Sequence, residues 1–208
     1  FGEYIDAKKV EWHYIPTWIL ITTPVLYSVL FIFGLLIIFL KFFKFDSRNF
    51  NKAFLIDLYF LLVFIGPLIA VVIFNSTLYN GWRQLYFIYP SLIFISIIGF
   101  EKIFLFKKFN FKKYFIIFVF LYLLGIFHWI IKNHPHQYVY FNNLLPKDNL
   151  NKKFDIDYWG LSYKENFEFI LENEKSQKIK IYNLSFNKLF YPLFSLNQTS
   201  RNRFVIVK

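Results

Sequence analysis

A chain of 208 residues has room for one or two domains, yet 57% of this one is hydrophobic and 25% aromatic, far above the level of a soluble globular chain. Its formal charge of +11 is dispersed in short groups beside apolar runs, with no basic stripe, which argues against nucleic acid and for membrane topology and anionic-lipid contact. Cysteine is absent, and with it any disulfide, thiolate metal site or cysteine nucleophile.

Residues 1–17 mix charges with aromatic rings, among them Glu11, Trp12, His13 and Tyr14, and read as an interfacial segment. Position 1 is not Met and polar residues precede the first apolar run, so the expectation is a fragment or processed piece whose first run is no signal peptide. Residues 18–131 hold four apolar runs, 19–40, 55–74, 85–100 and 114–131. About 20 residues at ~1.5 Å each cross a ~30 Å hydrocarbon core, so these predict four transmembrane helices. The third run is short unless Trp82 and Arg83 begin its helix. Thr22, Thr23 and Pro24 predict a kink in the first, and Gly66-Pro67 lies near the middle of the second, where freed backbone carbonyls need partners from neighbouring helices.

Two loops are basic, one with Lys41, Lys44, Arg48 and Lys52, the other with Lys102, Lys107, Lys108, Lys112 and Lys113. The loop between the second and third runs carries a single cation, Arg83. The excess of positive charge on cytoplasmic loops then sets Arg83, the N-terminal segment and everything after Ile131 on the outer face. Asp57, the acid inside a run, is expected to cap its helix or pair with Lys52.

Residues 132–208 read as a soluble segment. Ser162 and Glu165 form a capping-box pattern ahead of a helix over 163–173, and alternation predicts strands over 178–184 and 203–207. The expected fold is an all-α polytopic membrane bundle of four transmembrane helices, followed by a small, truncated α/β outer-face domain.

Chemistry concentrates in Tyr79–Ser91, read Tyr-Asn-Gly-Trp-Arg-Gln-Leu-Tyr-Phe-Ile-Tyr-Pro-Ser. Arg83 can bind phosphate oxygens bidentately and stays charged at any relevant pH, whereas the plain alternative is an arginine snorkelling to lipid headgroups. Trp82, Tyr86 and Tyr89 stand at i, i+4 and i+7, one helical stripe that suits a sugar face or isoprenoid chain, or simply interhelical packing. His13 beside Glu11 is an acid/base pair or a hydrogen-bonded anchor. His134 and His136 offer two imidazoles, but spacing supplies no third ligand, so no metal site is assigned to this chain. Asp155 and Asp157 beside Trp159 combine carboxylates with a stacking ring, or make a turn into the capped helix.

Four stretches together resemble a known family: Trp12-His-Tyr-Ile-Pro-Thr-Trp-Ile-Leu-Ile-Thr-Thr-Pro24, Tyr79 through Pro90, His134-Pro-His-Gln-Tyr-Val-Tyr-Phe-Asn142, and Asp157-Tyr-Trp-Gly-Leu-Ser-Tyr163. In this order they resemble the C-terminal half of C-type membrane glycosyltransferases, similar to family 39, the protein mannosyltransferase and aminoarabinose transferase relatives. The resemblance implies a bacterial inner-membrane enzyme that takes a sugar from a polyprenyl-phosphate carrier and passes it to a protein or glycan acceptor on the outer face. It implies that Arg83 meets the donor phosphate and that Trp12, His13, Tyr14, Trp82, Tyr86, Tyr89, His134, His136, Asp157 and Trp159 line the cavity. The catalytic acid of the family matches no residue here, and a divalent metal could serve the intact enzyme. The alternative from another class is a non-catalytic transporter or flippase component that binds a lipid-linked sugar or anionic lipid.

Overall fold

A computed structural model of the chain describes residues 10–44, 51–106, 112–146, 148, 150–154, 156–157, 160–182 and 189–207. They divide into two units, Phe1–Leu150 and Asn151–Lys208. The first contains α1 (Tyr14–Thr22), α2 (Val25–Phe43), α3 (Lys52–Ile73), a 3₁₀ segment (Arg83–Ile88) running into α4 (Tyr89–Leu105), and α5 (Lys112–Lys132). Four helical stretches, Val25–Phe43, Lys52–Ile73, Arg83–Leu105 and Lys112–Lys132, are long and apolar enough to cross a membrane.

The first apolar run does not stay one kinked helix. It breaks: α1 ends at Thr22, and Thr23 (ψ 139°) and Pro24 (ψ 134°) are extended before α2 restarts at Val25. Pro24 has no N–H to bond back into α1, and its ring pushes Thr23 out of the α region. The span is therefore 25–43, with residues 19–22 belonging to the preceding helix. The third run gains what it lacked, since the 3₁₀ segment starts at Arg83 with Trp82 before it and the helix continues to Leu105. Pro67 sits inside α3 without ending it.

α2 and α4 pack backbone to backbone. A Cβ added at Gly34 would stand 2.0 Å from Ile95 O, and one at Gly99 would stand 2.2 Å from Leu30 O. Ser28, Ser91 and Ser96 are buried as well, and Ser96 Oγ–H reaches Leu92 O at 2.8 Å and Tyr27 O at 3.1 Å. Small residues let two helices approach closely where lipid offers no hydrophobic drive between them, so dispersion and short polar contacts hold this seam. Ile88, Leu92 and Ile95 lie fully buried within the same core.

α3 is tied to α2 by an ion pair, Lys41 Nζ to Asp57 Oδ2 at 2.5 Å. The expected Lys52 partner is thus replaced by Lys41. Residues five apart in a helix stand on different faces, so Lys52 cannot reach back along α3 as well as Lys41 reaches across from α2. No described residue of α5 is buried. Its links include Tyr122, whose hydroxyl accepts from the Leu26 N–H in the first turn of α2 (3.3 Å), and Phe115 stacked on Phe100 (5.4 Å). Leu26 N–H is one of the donors that a helix start leaves without an internal partner.

In the second unit α6 (Leu150–Lys153) marks the boundary, and α7 (Ser162–Asn173), β1 (Ile179–Tyr182), α8 (Phe190–Leu193), α9 (Gln198–Arg201) and β2 (Phe204–Val207) follow. The two strands pair in parallel, Ile179 opposite Phe204 and Tyr182 opposite Val207. Phe167, Ile179, Leu189, Leu193, Leu196 and Phe204 form the local core. The helix and both strands stand where alternation and periodicity put them, each strand starting one residue later than expected, and residues 183 and 184 of the first lie outside the described residues. The capping box does not form: Ser162 is already helical and Leu161 holds the cap position. Asp157 does the capping instead, its Oδ1 accepting from Leu161 N–H (2.9 Å) and its Oδ2 from the Ser162 hydroxyl.

Removing Lys41 alone leaves the Asp57 carboxylate, whose side chain is 9% exposed, without its partner. Lys41→Ala should therefore destabilise by about 1–3 kcal/mol, discounted for the partial exposure of the ammonium, while the Lys41→Met/Asp57→Leu double variant recovers most of it. Thermal unfolding in detergent of the wild type, Lys41→Met, Asp57→Leu and the Lys41→Met/Asp57→Leu double variant, read as a double-mutant cycle, measures the coupling.

Candidate functional site

The break at Thr23–Pro24 creates a demand before it creates a site. The last carbonyls of α1 lose the donors that a continuing helix would have supplied. Asn142, 2% exposed and far away in sequence, meets that demand: its Nδ2 donates to Leu20 O and Thr23 O, both at 2.6 Å, and its backbone N–H donates to Ile21 O at 2.8 Å. Its Oδ1 in turn accepts from Leu144 N–H at 3.0 Å. Thr22 supplies the second tie. Its hydroxyl donates to Trp18 O (2.6 Å) and accepts from Trp82 Nε1–H (2.9 Å). Thr23 Oγ1 is buried with no hydrogen-bond partner among the described residues.

Trp82 is 5% exposed and locks the segment that carries Arg83. Its ring meets Tyr86 edge-on at 4.8 Å and Tyr89 at 6.0 Å, so the three aromatics expected on one stripe do gather, although the backbone between them is 3₁₀ up to Ile88. The Arg83 guanidinium stands 6.0 Å from the Tyr79 ring centroid, at the outer limit of a cation–π contact, and its charge acts on the Tyr86 hydroxyl. Arg83 itself is half-buried. Gly81, with φ 69°, makes the left-handed turn that delivers Trp82 to the interior.

Tyr14, at the start of α1, leans on Trp18 (6.2 Å) and hydrogen-bonds with the Gly81 backbone. Burial raises its phenol above the ordinary range, with hydrogen bonds from Gly81 and Trp18 acting against the rise. Phe141, beside Asn142, packs on the other reach of Trp18 at 6.1 Å. A connected wall thus runs from Tyr14 through Trp18 and Thr22 to Trp82, Tyr86 and Tyr89, closed by Phe141 and Asn142.

The remaining expected residues lie elsewhere. Trp12 and His13 are exposed ahead of α1, ring to ring at 5.7 Å, and His13 Nδ1 pairs with Glu11 Oε2 at 3.1 Å. His134 Nδ1 shares a hydrogen bond with Gln137 Nε2 (2.8 Å), and His136 stands 6.2 Å from the Tyr138 ring. Among the described residues no three His, Asp or Glu side chains gather as a metal site requires. Asp157 belongs to the second unit, where it caps α7. Trp159 and Asp155 lie outside the described residues.

A group that sequence spacing does not reveal is a set of four tyrosines. Tyr27 of α2, Tyr89 of α4, Tyr122 of α5 and Tyr140 of the following loop each act electrostatically on at least one of the others. Tyr140 also stacks edge-on against Trp129 (4.8 Å), and burial, followed by Tyr122 and Tyr27, raises its phenol. Hydroxyls drawn from four segments offer both donors and acceptors next to the aromatic wall, a composition suited to sugar hydroxyls.

In comparison with known proteins, no family model matches the chain, and no curated protein or solved structure is significantly similar to it.

Asn142→Ala should cost about 2–4 kcal/mol, because two buried carbonyls lose their side-chain donors at once. Asn142→Asp should be no better, since a carboxylate cannot donate to them. Thermal denaturation in detergent checks both, and an unchanged midpoint in either variant contradicts the clamp.

Proposed function

We propose that this chain is the C-terminal part of a membrane glycosyltransferase that moves a sugar from a polyprenyl-phosphate donor to an acceptor on the outer face of an inner membrane. In this reading Arg83 holds the donor phosphate and neutralises the charge that develops on it as the sugar departs, an electrostatic task for a cation at a low-dielectric boundary. The aromatic wall of Trp82, Tyr86 and Tyr89 faces the sugar or the first isoprene units, and the second unit is the start of an outer-face α/β segment.

The observation that carries the reading is the Trp82–Thr22 hydrogen bond. An arginine that only snorkels needs no fixed backbone, whereas phosphate binding gains from one, because geometry prepared in advance lowers the ordering cost. Trp82 is anchored to the end of α1, and Arg83 follows it directly, between Tyr79 and Tyr86. The resemblance of the four sequence stretches adds to this, and the distribution of Lys and Arg supports the outer placement.

In the intact protein, Arg83→Ala should lower sugar transfer by roughly 10²–10³-fold with membrane insertion unchanged, and Arg83→Lys should fall between, keeping the charge but losing the fork. Transfer assays with a polyprenyl-phosphate sugar, alongside carbonate extraction of membranes, make the comparison. Near-normal turnover of Arg83→Ala ends the donor role.

A further inference from the structure

The opposite end of the first unit has a feature that the donor site does not use. α2 and α3 are drawn together by Lys41 and Asp57, yet beside that pair they leave an apolar groove of about 570 Å³. It runs from Ile32 to Phe42 on α2 and from Phe54 to Ile65 on α3. Ten residues at ~1.5 Å give a length of about 15 Å, half of a ~30 Å hydrocarbon core and so the depth of one leaflet.

Its rim is basic. Phe42 lies two residues from Lys44 and Phe54 two residues from Lys52, both lysines exposed, so the groove opens between them. Among the described residues this end of the unit, where α2 and α4 finish and α3 and α5 begin, carries Lys41, Lys44, Lys52, Lys102, Lys112 and Lys113 against Asp57 and Glu101. Lys41 and Asp57 neutralise one another, leaving the positive excess at the surface.

We infer that this groove binds one acyl chain of an anionic phospholipid, with the headgroup phosphate held between Lys44 and Lys52. A leaflet-deep slot with a cationic mouth matches a lipid of that leaflet in both length and charge. A polyprenyl phosphate carries a like charge, but its chain of many isoprene units is longer than a slot one leaflet deep, and a docked helix would bring its own polar end against the lysines. The Lys41–Asp57 pair sets the groove's width by fixing the two helices beside it, without spending its charge on the lipid. Each lysine near an anionic headgroup strengthens retention by about 5.5-fold, so the two together give about 30-fold.

The test is native mass spectrometry of the full chain released from nanodiscs of equal parts palmitoyl-oleoyl phosphatidylglycerol and palmitoyl-oleoyl phosphatidylcholine. The expected result is one retained phosphatidylglycerol in preference to phosphatidylcholine, with the preference falling about 30-fold in Lys44→Gln/Lys52→Gln. Leu58→Trp, which fills the groove, should abolish retention of either lipid, and the surface lysine variant keeps the test open if the tryptophan disturbs folding. Equal retention of the two lipids, or retention untouched by the lysine variant, overturns the inference. So does a dimer that Leu58→Trp disrupts, which would make a second copy the occupant.

Discussion

A backbone carbonyl at the edge of a bilayer has little water to turn to, so a broken helix there survives only if another part of the chain supplies donors. In this protein the rule is met by one side chain. Asn142 brings two amide protons and its own N–H to Leu20, Thr23 and Ile21, and the rest of this end of the first unit is arranged around that bond set. The loop that follows α5 must return to α1 to deliver it. Phe141 thereby reaches Trp18, and Tyr140 joins the tyrosines of α2, α4 and α5. Thr22 is left available for Trp82, and through Trp82 the position of Arg83 is set.

The chemistry of that corner follows from where the polar groups are spent. Asn142 and Thr22 are consumed by structure, since every side-chain proton they carry is donated to a backbone carbonyl. What faces outward is aromatic surface, a guanidinium and phenols. None of these is a general base in the neutral range, and burial moves Tyr14 and Tyr140 further from it by favouring the protonated phenol. The corner is equipped to bind and orient, by stacking, hydrogen bonding and charge.

Much of the helical layout was legible because hydropathy is a one-dimensional signal: an apolar run long enough to span shows itself without knowledge of its neighbours. Trp82 likewise carried its meaning locally, as the residue before a helix start, whereas Pro24 read as a kink and the structure has a full break there. The pairings were not legible, since they depend on which faces meet. Lys52 is nearer to Asp57 along the chain, yet Lys41 wins because α2 lies across the right face of α3. Ser162 has the right type and spacing for a cap, and Asp157 takes the role because the turn at Gly160 brings its carboxylate onto the helix start. Asn142 closes the stretch His134–Asn142, and nothing about its sequence neighbours says that its partners lie near residue 20. The tyrosine cluster is the same case, four residues linked by tertiary packing alone.

The contact of Gly34 with Ile95 and of Gly99 with Leu30 divides the first unit into parts of unequal persistence. α2 and α4 share backbone contact and the fully buried core, while no described residue of α5 is buried. The surface that α5 does not bury in the protein is left to lipid, so its place rests on a few ring and hydroxyl contacts, whereas α2 and α4 are locked backbone to backbone. The helix that lends Tyr122 to the first turn of α2 thus stands outside the core, and a pair of glycines decides which two helices form that core and which one only leans on it.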